Sequence, residues 1–286
     1  MRLLVDTKDS AAVEFEVQAS YLGMYPNADR FFVPKAFSWA LNCFTGKYRD
    51  YQPIDARYHD LEHTMQGTLC MVRLLRGRHE ARVEPLLTQR MFKLGLLAIL
   101  LHDTGYLKTK MDHEGTGAKY TLIHVSRSLE FAAALLGEQE FEANDIAAVQ
   151  NMIRCTGANV ELKSLLFQDE LERSVGFALG TADLLGQMAA EDYVEKLPIL
   201  YQEFAESERF SAGKTNTRAM FSSASDLMQK THGFWSFYVQ DRIKKGFQGA
   251  YFFLNDPYPD GPNIYVELIE ANLERLQRQL SATAAA

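Results

Sequence analysis

The chain has 286 residues, 47% hydrophobic, 12% aromatic and 23% charged, the proportions of a soluble globular protein rather than a disordered or fibrous one. Thirty basic against 37 acidic residues leave a net charge of −7, which argues against non-specific binding to nucleic acid or to an anionic membrane surface. Cys43, Cys70 and Cys155 form no CxxC pair, which argues against a zinc ribbon or a disulfide framework and points to a reducing, cytoplasmic compartment.

The start, Met1 to Asp6, lacks the apolar run of a signal peptide, and the most apolar stretch, Leu94 to Leu101, is far shorter than the ~20 residues of a membrane span. Helical periodicity dominates, so the expected class is all-α. Ser10 to Tyr21 has amphipathic spacing and is broken by Pro26-Asn27-Ala28-Asp29. A second helix is expected over Pro34 to Cys43, with proline in its first turn, and Gly46 to Arg57 reads as loop. From Tyr58 to Leu75, the residues Leu61, Met65, Leu69, Val72 and Leu75 recur every three or four positions, the mark of a long helix. Thr88 to Leu101 is almost wholly apolar and must be buried on most sides.

After a loop over Gly105 to Gly117, helices are expected over Thr121 to Leu136, Asn144 to Cys155, Gln168 to Ala190 and Asp192 to Ser207, with Pro198 a kink or break in the last. The charged stretch Glu203 to Arg209 reads as a solvated helix end. An aromatic helix over Ala224 to Gly246, a loop over Asn255 to Asn263 and a helix over Ile264 to Leu280 follow. Phe234, Trp235, Phe237 and Tyr238 in that stretch read as core or helix-docking surface.

Six of the seven histidines fall between residues 59 and 124, a clustering of the side chain best suited to metal ligation. His59 and His63, four apart on the expected helix, project from one face. His102-Asp103 ends the apolar helix, which supplies a rigid mount. With seven His and 16 Asp, roughly 0.4 His-Asp pairs arise by chance, and His59-Asp60 is a second one, so the order of the residues carries the weight. Asp183 stands in the small, apolar run Gly180-Thr181-Ala182-Asp183-Leu184-Leu185, where a carboxylate is costly unless paired or bound to a cation.

The pattern Tyr58-His59-x-x-x-His63, then Leu101-His102-Asp103-x-Gly105-Tyr106, then Ala182-Asp183-Leu184 resembles the HD superfamily of metal-dependent phosphohydrolases, whose best-known members are cyclic-nucleotide phosphodiesterases. The resemblance covers roughly residues 55 to 190. It implies a multi-helix HD-domain bundle with additional N- and C-terminal helices: a helical segment over 1–54 packed on a metal-binding core over 55–190, extended within the same domain by helices over 191–286. It also implies one divalent cation held by His63, His102, Asp103 and Asp183, and His59 as the histidine that protonates the leaving oxygen. Some members hold a second metal through two further histidines. His124 sits where the first is expected, but Arg154-Cys155-Thr156 stands where the second would be. The centre then has one ion, or a second held by His124, Asp103 and water.

Imidazole and carboxylate ligands suit Mn, Fe, Ni, Co or Zn better than calcium, and Mg stays open as well. Four protein ligands leave positions where water and a phosphoryl oxygen can be engaged, with Asp103 both a ligand and an orienting group for the nucleophile. Arg57, Lys108, Lys110, Lys119, Arg127 and Arg154 lie near these motifs, and Lys108, Arg127, Arg154 and His124 are the candidate substrate contacts. The expected activity is hydrolysis of a phosphate ester of a nucleotide or related small molecule, by a chain that could be a homodimer. Two rivals are an iron-dependent oxygenase on the same scaffold, disfavoured by the missing second-site histidine, and a non-catalytic sensor or interaction module whose metal is sealed from solvent.

Overall fold

The computed structural model describes residues 5–212 and 220–284; residues 1–4, part of the stretch read above for a leader, lie outside them. The described residues form ten α-helices and no strand. They are α1 (Ser10–Met24), α2 (Phe32–Phe44), α3 (Leu61–Glu80), α4 (Gln89–Leu101), α5 (His124–Glu138), α6 (Ala143–Arg154), α7 (Glu170–Met188), α8 (Tyr193–Ser211), α9 (Ala224–Gly233) and α10 (Ile264–Ala284). Among them no helix is long and apolar enough to cross a membrane.

Short polar side chains start several of these helices. Asp9, Asp60, Thr88, Asp169 and Ser223 each accept a hydrogen bond from a backbone N–H in the following turn, satisfying donors that a helix start leaves free. Asp60 therefore places the start of α3 after His59. The expectation that His59 and His63 share a helix face is corrected: His59 precedes the cap, in the incoming loop. The basic run Arg76 to His79 belongs to the same helix, with Arg78 buried.

The centre of the fold is the antiparallel pair α3 and α7, with Gln66 against Gly186 at one end and Arg78 facing Glu170 at the other. The axes approach closely because Gly186 has no side chain: a Cβ there would stand 2.7 Å from the Gln66 carbonyl oxygen. Helix α4, buried from Leu94 to Leu101, packs on α3, α6 and α7, so its last residues emerge beside the α3–α7 pair. One continuous buried apolar cluster runs from Val13 to Leu276 and takes in residues of every helix.

Two expectations for the later helices need revision. Helix α8 continues through Pro198 to Ser211 without a break. The aromatic stretch after α9 is not a regular α-helix but widens into π-helical turns over Phe234–Val239 and Arg242–Gly246. That segment is tied to the loop after α6: Tyr238 Oη donates to Ala158 O, and the Arg242 guanidinium donates to Gly157 O and Val160 O.

Candidate metal centre

His63 lies in the first turn of α3, where its backbone N–H donates to the Asp60 cap at 2.8 Å. His102 caps the C-terminus of α4 and Asp103 follows it directly; Thr104 Oγ1 donates to Leu101 O, satisfying a carbonyl at the helix end. Asp183 projects from α7. These three distant segments bring four side-chain atoms together. His63 Nε2 stands 3.2 Å from both Asp103 Oδ2 and Asp183 Oδ1, and His102 Nε2 stands 3.3 and 3.5 Å from the same two oxygens.

His63, His102 and Asp103 are 1–3% exposed and could together hold a metal ion. The donor atoms fit one. Protein ligands lie about 2.0–2.2 Å from a zinc-like cation, so adjacent ligand atoms are spaced about 3 Å apart at right angles and about 3.4 Å in a tetrahedron. The four His–Asp separations, 3.2–3.5 Å, sit near the tetrahedral value. His102 Nδ1 hydrogen-bonds to Ile99 O at 2.7 Å, which holds a proton on Nδ1 and makes Nε2 the nitrogen that can offer a lone pair to a cation once its own proton has left. His102 Nε2 and Asp103 Oδ2 are fully buried yet neither has an aligned hydrogen-bond partner among the described residues, as expected of atoms aimed at a shared point.

The cluster's protonation follows from its crowding. Burial pulls the His63 imidazole down, but Asp103 and Asp183 outweigh it and push the value up to about 9. His102 is raised well above its ordinary value against the same burial cost. Burial also opposes ionisation of Asp103 and Asp183, yet the two histidines hold both carboxyls well below the usual carboxylate range.

Beside these ligand candidates lies a second group. His59 Nδ1 hydrogen-bonds to Glu203 Oε2 at 2.6 Å, while Glu203 Oε1 accepts the Tyr58 backbone N–H at 2.7 Å. Burial pushes the Glu203 carboxyl up, but the His59 ring and the N–H groups of Tyr58 and Arg57 bring it below its ordinary value. Tyr58 Oη donates to Gln187 Oε1, and the Gln187 amide donates to Asp183 O, so the His59 loop is also anchored to α7. His124, the first residue of α5, bonds through Nδ1 to Thr121 O and presents Nε2 3.9 Å from Asp103 Oδ1. Burial lowers its value below the ordinary one, which favours the neutral ring.

Glu203 was read from the sequence as part of a solvated helix end. It is 4% exposed, and Ser207 is buried with it. Its neighbour Glu206 accepts hydrogen bonds from the backbone N–H and hydroxyl of Thr116. The sequence did hold a signal: Tyr193, Leu197, Leu200, Glu203 and Ser207 fall every three or four positions, on the inward stripe of α8.

Of the cationic candidates, Lys108 is buried, donates to Gly115 O and pairs with Asp55 Oδ2 at 2.8 Å. Arg127 donates to Gly105 O and Leu107 O and lies 3.6 Å from the centre of the Tyr120 ring. Both brace the chain after Asp103. Arg154, half-buried at the end of α6, donates to Asn151 Oδ1. Of the four substrate-contact candidates, His124 is the one whose free nitrogen faces the centre.

The turn carrying Asp103 is docked on α5: Gly105 N–H donates to Ser128 Oγ at 2.8 Å, and a Cβ on Gly105 would stand 2.0 Å from the His124 carbonyl oxygen. Gly105→Ala is therefore expected to separate the two segments and destabilise the fold by about 2–4 kcal/mol. Thermal unfolding checks this, with Tm expected to fall by about 3–7 °C; an unchanged Tm would show that the turn can move away at no cost.

Together these features describe an all-α protein with a buried two-histidine, one-aspartate group able to hold a metal, approached by a further aspartate and flanked by a carboxylate-anchored histidine. The chain belongs to the Npun_R2479-like family, whose family model matches residues 108–256. That match takes in His124, Asp183 and Glu203, while His63, His102 and Asp103 precede it. No curated protein matches the chain.

Proposed function

We propose that the protein is a metal-dependent phosphohydrolase of the HD type, acting on a phosphate ester of a nucleotide or related small molecule. One observation carries the reading: each of two imidazole nitrogens, His63 Nε2 and His102 Nε2, lies 3.2–3.5 Å from both an Asp103 and an Asp183 oxygen, directly beside an imidazole that a buried carboxylate holds. His63, His102, Asp103 and Asp183 would hold the cation. When bound, a divalent ion supplies Lewis acidity, polarising a phosphoryl oxygen and lowering the pKa of water.

The remaining work falls to the chain. Glu203 accepts the Nδ1 proton of His59, which leaves Nε2 as the nitrogen that takes up a proton from water and then passes it to the departing oxygen. His124 offers Nε2 to a phosphoryl oxygen, its ring held by Thr121 O. Access also favours catalysis over a purely structural metal. The side chains of His59, Asp183 and His124 are 15%, 15% and 21% exposed, so one side of the centre opens to solvent, unlike a sealed structural site.

The test is elemental analysis of protein purified without added metal, followed by a panel of phosphomonoesters and phosphodiesters assayed with the metal found. Bound divalent metal and turnover abolished by chelation are expected; neither metal nor metal-dependent turnover overturns the reading. Glu203 is a positioning residue here. Glu203→Gln is expected to keep the metal content and lower kcat by about ten- to a hundredfold, because the neutral amide holds the protonated ring less well. Loss of metal from that variant would instead place Glu203 in the support of the ligand set.

A further inference from the structure

The three rings of His59, Tyr106 and His124 are arranged in a way that hydrogen bonds alone do not explain. The Tyr106 centroid lies 4.5 Å from that of His59 and 4.7 Å from that of His124, with interplanar angles of 11° and 21°. Rings that parallel and that close must overlap face to face, since coplanar neighbours need about 6 Å at van der Waals contact. The two imidazole centroids are 6.2 Å apart. Imidazoles on opposite faces of the phenol would be about 7 Å apart, two contact distances of ~3.5 Å. Both therefore lie on one face, side by side, each offset from the phenol centre in the manner aromatic pairs prefer.

The chain builds this platform with short connections. Tyr106 closes the 3₁₀ turn Thr104–Tyr106 that begins directly after Asp103, so the ring and that ligand candidate share one turn. The ring is wholly buried, and burial together with the Asp103 and Glu203 charges raises its phenol well above the ordinary value, so it serves as a neutral surface. A single Nδ1 hydrogen bond leaves each imidazole free to tilt about that bond, because the histidine χ2 torsion is broad. A flat surface beneath the ring removes the tilt.

We propose that Tyr106 is a positioning residue whose ring is a common floor for the His59 and His124 imidazoles, setting them side by side with each Nε2 turned away from its Nδ1 anchor and toward the centre. Its effect on turnover rests on the phosphohydrolase reading; its effect on the two rings does not. Tyr106→Phe keeps the floor, and Tyr106→Met fills the space without one.

The experiment uses the full chain loaded with zinc and labelled at histidine, with proton–nitrogen correlation of the imidazoles, and then assays 4-nitrophenyl phosphate and bis(4-nitrophenyl) phosphate. In the wild type and Tyr106→Phe, the carbon-bound ring protons of His59 and His124 are expected to be shifted upfield by the phenyl ring, with both imidazoles protonated at Nδ1. In Tyr106→Met both signatures are lost while zinc affinity is retained, kcat falls about a hundredfold and KM changes by no more than about threefold. Unshifted protons in the wild type overturn the proposal without any variant, so it stands or falls even if Tyr106→Met fails to fold. A Tyr106→Phe variant as slow as Tyr106→Met also overturns it, because the hydroxyl would then be the acting group. If the wild type hydrolyses neither ester while the shifts and tautomers appear as expected, the phosphohydrolase reading fails and the positioning role stands.

Discussion

Asp103→Ala is expected to give a folded chain that no longer retains a divalent metal and shows no turnover. Asp103 Oδ2 approaches both imidazole nitrogens, as Asp183 Oδ1 does, but Asp103 is the more deeply buried of the two carboxylates. Four-ligand sites bind with about 10–16 kcal/mol, so one ligand accounts for about 3–4 kcal/mol and its loss weakens binding several hundredfold or more. His102→Ala is expected to behave alike, because its Nε2 has no other task in the buried cluster. Metal content by elemental analysis and helix content by circular dichroism read the two effects separately. Bound metal at wild-type occupancy in both variants would mean that the ion sits elsewhere.

The second large effect is the pH dependence of metal uptake. Without metal, His63 holds its proton up to about 9 and His102 is raised as well, so a cation needing both Nε2 lone pairs must displace two protons at neutral pH. Affinity is expected to climb by as much as about a hundredfold per pH unit while both rings stay protonated. The climb should ease as pH passes about 9, where His63 has lost its proton. Zinc titration calorimetry in buffers of different ionisation enthalpy counts the protons released; none released at pH 7 would contradict the charge state of the cluster.

Stability of the metal-free fold runs the opposite way. The folded His63 value, about 9, exceeds the unfolded value of about 6.5, so its contribution is complete below about 6.5 and fades as pH rises through 9. A displacement of that size corresponds to about 3 kcal/mol. Asp103 and Asp183, held low, contribute above the unfolded carboxylate value of about 4 and lose that contribution as pH falls further. These are the same contacts seen from the other partner and are not added. Chelator-treated protein should therefore have its highest Tm between about pH 4 and 6.5.

The candidate ligands were legible because each carries a local clue: histidines concentrated in one stretch, a dyad closing an apolar helix, and a lone carboxylate among small residues. The all-α class followed from apolar spacing. The start of α3 was misplaced because spacing from Leu61 onward says nothing about the residues before the cap, although Asp60, three before His63, is itself a start signal. Lys108 and Arg127 looked available because their partners, Asp55 and the carbonyls of Gly105 and Leu107, are fixed by loop packing that no periodicity encodes. Glu203 was hidden by composition: four of the seven residues from Glu203 to Arg209 are charged, which masks the one that faces inward.

Glu203 and Glu206 stand one turn apart on α8, the first gripping the His59 ring and the second the backbone at Thr116. The His59 imidazole and the loop at Thr116 thus hang from a single rod. Drift of that rod along its axis carries both at once, so divergence in α8 would retune the alignment of the ring and the position of that loop as one trait.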